Sequence, residues 1–128
     1  MAALTTKGIK VSIEASYQPA YSDPAARKFV FSYDVDIENL SEHTVQLLRR
    51  HWFIFDSSGA HREVEGEGVI GEQPVLAPGQ SHQYTSWCPL ITDIGKMHGT
   101  YLFRRQPDNE TFQVLIPEFQ LIAPFRRN

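Results

Sequence analysis

At 128 residues the chain is long enough to bury one hydrophobic core without disulfides or metals, and too short for two ordinary domains. A hydrophobic content of 41%, with eight Phe, five Tyr and two Trp, excludes a disordered chain, and no apolar run nears the roughly 20 residues of a membrane helix. The net charge of −3 argues against a general nucleic-acid binder, which needs a basic face. Three small basic clusters, Arg49-Arg50-His51, Arg104-Arg105 and Arg126-Arg127, read as solvated strand edges and a charged tail. The lone Cys88 has no partner for an internal disulfide or a thiolate metal site, and fits a reducing compartment. Met1 to Gly8 has neither a basic start nor an apolar stretch, so the expectation is a soluble cytoplasmic protein without an export signal.

In Ile9 to Tyr17, the apolar Ile9, Val11, Ile13, Ala15 and Tyr17 alternate with Lys10, Ser12, Glu14 and Ser16, the pattern of a half-buried strand. The turn formers of Gln18 to Pro24 separate it from a second strand, where Phe29, Phe31, Tyr33, Val35 and Ile37 oppose Ser32, Asp34, Asp36 and Glu38. Strands with one apolar face belong to antiparallel sheets, because parallel strands are covered on both faces. Asn39 to His43 reads as a turn. Thr44 to Asp56 is apolar on both parities, with Val45, Leu47, Phe53 and Phe55 against Leu48, Trp52 and Ile54; this predicts a central strand, bulged near Arg49 and Arg50. Asp56 to Gly59 is a hairpin turn, and His61 to Glu65 returns as a polar edge strand. Pro78 and Gly79 form the central pair of a type II turn that opens the strand Ser81 to Trp87. The last two strands are Gly95 to Arg105 and Thr111 to Leu121, joined by a turn at Gln106 to Glu110. In the final strand the apolar phase switches at Pro117, from Phe112, Val114 and Ile116 to Phe119 and Leu121. No stretch carries a sustained 3.6-residue repeat, so no long helix is expected.

About seven short strands, with turns roughly every 8 to 12 residues, predict an all-β, immunoglobulin-like antiparallel sandwich in a single domain over residues 1–128. Trp52 on the third strand suits its core, while the cross-sheet disulfide of antibody domains is absent.

Several blocks stand out, the long Gly66 to Leu76 and the Ile116-Pro117-Glu118-Phe119 ending being the unusual ones: Asn39-Leu40, Val45 to Leu48, Arg50 to Trp52, Gly66 to Leu76, Ala77-Pro78-Gly79, Tyr84 to Ser86, Met97 to Tyr101 and Phe112 to Leu121. Together they resemble the bacterial ApaG family over nearly the whole chain. The resemblance implies a fibronectin type III-like sandwich, in agreement with the strand pattern. It also implies links to cobalt resistance and magnesium efflux, and a name derived from genomic association with a diadenosine tetraphosphate hydrolase. The same domain is appended to certain F-box proteins and to a protein that interacts with DNA polymerase delta, a usage that implies a recognition module. One departure is Trp87 before Cys88, where many members carry a small residue, so no role is carried over to that loop.

The segment Gly66-Glu67-Gly68-Val69-Ile70-Gly71 matches G-x-G-x-x-G, but the dinucleotide-binding use of that motif requires a helix directly after it. Glu72 to Gly79, with two prolines and a glycine, cannot start one, so the glycines read first as a tight loop or bulge between edge strands. The alternative is a phosphate, pyrophosphate or nucleotide site in which loop amides form an anion-binding nest, built from Gly66, Gly68 and Gly71 with charge from Arg49, Arg50 and His51. The histidines His43, His51, His61, His82 and His98 have no metal-ligand spacing, and no metal or cofactor is expected. Cys88, between Trp87 and Pro89, sits in an apolar setting that suggests packing, and no nucleophile elbow occurs. The expected function is therefore non-enzymatic: a sheet face or edge that docks an unidentified protein partner, or a second copy through an edge strand, with Tyr17, Tyr21 and Trp87 as candidate anchors. Alternation places Tyr17 inside.

Overall fold

A computed structural model describes residues 1–127; the side chains of Arg126 and Arg127, and with them the expected charged tail, lie outside what is described. Among the described residues nine strands form: β1 (Ala2–Thr6), β2 (Ile9–Tyr17), β3 (Phe29–Asn39), β4 (Val45–Asp56), β5 (His61–Glu67), β6 (Val75–Leu76), β7 (Ser81–Leu90), β8 (Ile94–Arg105) and β9 (Thr111–Ile122). They make two antiparallel sheets, one ordered β1-β2-β3-β7 and the other β5-β4-β8-β9, with β6 also paired to β4. The expected all-β antiparallel sandwich is what forms. Among the described residues the only helical elements are short 3₁₀ turns, and no helix is long and apolar enough to cross a membrane.

The alternating residues explain the layers. Ile9, Val11 and Ile13 of β2 pair with Asn39, Ile37 and Val35 of β3, and all face inward. From the other sheet Leu47, Trp52, Met97, Tyr101, Phe103, Val114 and Leu121 meet them in one buried cluster. Tyr17 is partly buried against this core, packed edge-on to Phe31. Asn39 is a fully buried polar residue whose amide donates to the carbonyls of His43 and Leu76, at 2.8 and 2.9 Å, and whose oxygen accepts from Ser41. It thereby ties the β3–β4 turn to β6.

The turns follow their residues. Gly59 has φ +91° at the β4–β5 hairpin, and Gln80 N–H donates to Ala77 O at 2.9 Å around Pro78 and Gly79, with Gly79 at φ +86°. In β9 the register against β8 shifts between Met97 and Gly99, opposite Pro117, which accounts for the phase switch.

Besides the two-residue β6, three features differ from the sequence reading. The hairpin β1–β2 was not expected: β1 lacks an apolar face, with Leu4 exposed, and is held through its pairing with β2 across Lys7 and Gly8, both at positive φ. β7 runs three residues beyond Trp87, through Pro89, which is tolerated because β7 is an edge strand. The faces of β4 also regroup. The register against β8 shifts between Leu47 and Arg49, so Val45 and Leu47 face inward before the bulge and Trp52 and Ile54 after it. Phe53 and Phe55, grouped with Leu47 by simple parity, stand on the outer face.

Candidate functional site

The bulge in β4 has a chemical consequence. It turns Arg50 inward, beside Tyr101 of β8 and Gly66 of β5, at a place where both sheets end in an edge strand. The opposite side of the sandwich is closed by β1 and β2 against β9, with Leu115 N–H donating to Thr6 Oγ1 at 3.2 Å. On the Arg50 side, β5 and the loop that follows it are tied to β7 at two places. Arg62 Nη2 donates to Pro89 O at 2.6 Å and approaches Cys88 Sγ at 3.4 Å, and Glu72 lies 3.7 Å from His82 across the other end.

Between these ties lie two adjoining hollows of about 400 and 250 Å³, which share Tyr33, Arg50, Trp52 and Ser86 in their walls. The inward row of β7 supplies Tyr84 and Ser86, opposite Val35 and Tyr33 of β3. Arg50 Nη1 donates to the carbonyls of Glu67 and Gly68, each at 3.0 Å, which fixes the guanidinium head. Gly66 gives it room, since a Cβ there would sit 2.9 Å from both Nη1 and Nη2. Among the described residues no carboxylate pairs with Arg50. The register directs the acids of β5 to the outer face: Glu63, Glu65 and Glu67 stand opposite Phe53, His51 and Arg49, with Glu67 also at the border of the smaller hollow.

Burial pushes the hydroxyls of Tyr33, Tyr84 and Tyr101 above the ordinary phenol value, and Arg50 pulls each partly back. The fully buried Tyr101 hydroxyl bonds that of Tyr84. In the unfolded chain these phenols ionise near pH ~10, while in the folded protein they stay protonated beyond it, so the native state binds more protons at alkaline pH. Stability should therefore hold below the phenol range and fall above it, by about 1.4 kcal/mol per pH unit for each of the three phenols. Urea midpoints measured between about pH 8 and 11 check this; a midpoint flat to the top of that range would mean that the phenols ionise without unfolding.

Of the residues predicted as a ligand site, Arg50, Gly66, Gly68 and Gly71 come together at this cleft. Arg49 and His51 do not. His51 is on the outer face, with Nε2 2.8 Å from Glu63 and Nδ1 2.8 Å from Glu65, its ring stacked on Phe53 at 4.4 Å. The stack continues through His98, Phe55 and His61. No group of three or more His, Cys, Asp or Glu side chains arranged to hold a metal ion occurs among the described residues.

The glycine loop links β5 to β6 without a helix. Gly68 N–H donates to Leu48 O at 2.8 Å, and Val69 and Glu72 exchange main-chain bonds around Ile70 (φ +48°) and Gly71 (φ +73°). This is a type I′ geometry in which the amides of Gly68, Val69 and Glu72 bond carbonyls. Val69 is fully buried and plugs the loop into the core. Cys88 is buried, which raises its thiol despite the nearby Arg62. Sequence reasoning missed Tyr33, Tyr84 and Ser86 as cleft residues. The available signal was a row of polar groups, Tyr84 and Ser86, on the inward parity of an edge strand.

A sandwich closed on one side and open on the other, with a fixed arginine in the opening, defines a β-sandwich protein with a side cleft. The family model for the ApaG domain matches residues 19–105. Protein ApaG from Brucella canis is 45% identical over 127 residues, covering 99% of this chain and 97% of that protein. Protein ApaG from Mesorhizobium japonicum is 45% identical over 122 residues, covering 95% and 93%. The crystal structure of a Bordetella pertussis protein described as ApaA superposes with a TM-score of 0.88 at 45% identity, covering 91% of this chain and 94% of that one. The chain belongs to the ApaG family.

Proposed function

We propose that the protein is a non-enzymatic binding module, working in the cytoplasm, that docks another protein on the open side between β5 and β7. The observation that carries this reading is Ile70. A β-branched residue held at φ +48° costs about 1–2 kcal/mol, yet its side chain is 60% exposed at the tip of the loop and gains little burial in return. Strain kept for an exposed apolar side chain points to a role in contact with something else. Trp87, 49% exposed, supports the reading: it stands on the outer face of β7 with Tyr21 edge-on at 5.2 Å, and Val64 and Ile91 are exposed along the same side. Large apolar and aromatic side chains at a sheet edge are the usual anchors of an interface. The cobalt and magnesium links implied by the family are read as effects exerted through such a partner.

The test combines stability with capture. Ile70→Asn, which suits a left-handed position, is expected to stabilise the fold by about 1 kcal/mol while weakening capture of a reproducible partner from lysate. Trp87→Ala should weaken it too, and Leu115→Ala on the closed side should not. Equal capture by all three variants would remove the open side as the docking surface, and recovery of a second copy alone would identify the partner as the protein itself.

A further inference from the structure

We infer that Arg50 is the anchor for a single carboxylate of the docked segment: an acidic side chain of an extended partner chain enters the cleft between β5 and β7 and is held by the guanidinium. This rests on the docking reading and adds the chemistry of the partner. The polar side chains beside Arg50 in the smaller hollow include the uncharged hydroxyls of Tyr33, Tyr84 and Ser86, and among the described residues no carboxylate pairs with the guanidinium: the acids of β5 stand on the outer face by the register of β4 and β5, with Glu67 bordering the hollow. A partly buried charge without a counter-ion is costly, and a carboxylate arriving from outside would supply what the fold leaves out.

The head is also prepared for it. Nη1 is spent on the carbonyls of Glu67 and Gly68, so the side chain is already ordered, and the remaining N–H groups on Nη2 and Nε are left for a planar two-oxygen acceptor. The missing Cβ of Gly66 lets the guanidinium lie against the β5 backbone. The charge favours a carboxylate over a phosphate. Arg62, the other cation of the cleft, stands four strand positions from Gly66, about 13 Å along β5, and has its own bond to Pro89 O. One positive charge among neutral phenols balances one negative charge, and pyrophosphate would carry an excess. An extended occupant fits because both walls are edge strands.

The experiment is an NMR titration of the full chain labelled with ¹⁵N, following the Arg50 Nε–H and the amides of Gly66, Gly68 and Ser86. The probes are a blocked peptide of alternating valine and threonine with a central aspartate, the same peptide with asparagine, inorganic phosphate, and pyrophosphate. The expected result is saturable movement of those signals with the aspartate peptide, and affinity lower by roughly 10- to 100-fold for the asparagine peptide. Arg50→Gln should abolish the response. Gly66→Ala keeps the charge but displaces the guanidinium, and should weaken binding by a similar factor with the thermal midpoint close to that of the parent. Equal response to both peptides, a response that survives Arg50→Gln, or tighter binding of phosphate or pyrophosphate at Arg50 would overturn the assignment. If all four probes leave Arg50 unmoved while capture still depends on Ile70 and Trp87, the carboxylate anchor fails and the docking reading stands. If the aspartate peptide binds but no variant alters capture, the anchor stands and the docking reading fails.

Discussion

Replacing Trp52 by alanine is expected to cost about 3–5 kcal/mol, a large share of the roughly 5–15 kcal/mol that holds a domain of this size folded. Trp52 is 2% exposed and reaches across the sandwich, with its ring 5.4 Å from Tyr33 of the facing sheet, 6.0 Å from Phe119 and 6.3 Å from Tyr101. Three edge-on contacts leave no small shift that would refill the space, so most of the cavity should persist. The wall between the cleft and the core would go with it, since Trp52 lines both hollows. Urea denaturation measures the effect; a loss below about 1 kcal/mol would mean that the two sheets close over the gap.

Gly68→Ala is expected to be the next most damaging change near the cleft, at about 2–5 kcal/mol. Gly68 has φ +62°, and a Cβ there would fall well inside van der Waals contact of the Glu72 carbonyl oxygen, which the Val69–Glu72 turn holds in place. Gly71 makes the informative comparison. Its φ is +73°, but a Cβ would meet nothing within 4 Å, so Gly71→Ala should cost only the left-handed penalty of about 1–2 kcal/mol. The contrast separates two explanations of the glycine spacing. If the glycines serve the path of the chain, stability follows the order Gly68 above Gly71. If both substitutions left stability unchanged but removed nucleotide or pyrophosphate binding, the spacing would be a ligand motif after all.

Much of the fold could be read from alternation because each side chain of a strand belongs to one face or the other. Ile9 to Tyr17 and Phe29 to Glu38 show this directly: their apolar parity is the inward face of β2 and β3. The bulge and the phase switch at Pro117 were legible for the same reason, as places where the alternation breaks. β1 was not, because a strand whose Leu4 stays in solvent carries no periodic signal; its stability comes from backbone bonds to β2. The site was half legible. The glycine loop and the Arg49 to Trp52 segment drew attention as sequence oddities, and they do meet. Which of Arg49, Arg50 and His51 faces the loop depended on the position of one extra residue in β4, and a shift of one residue exchanges the two faces. Tyr33, Tyr84 and Ser86 come from the other sheet and join the cleft only through tertiary packing.

The open side of the sandwich is tested most directly by hydrogen exchange of the protein with and without its captured partner. Slower exchange is expected in β7 (Ser81–Leu90), β5 (His61–Glu67) and the loop around Ile70, with β9 (Thr111–Ile122) unchanged. Protection confined to β9, or to amides of the β1–β2 hairpin, would place the partner on the closed side and contradict the reading.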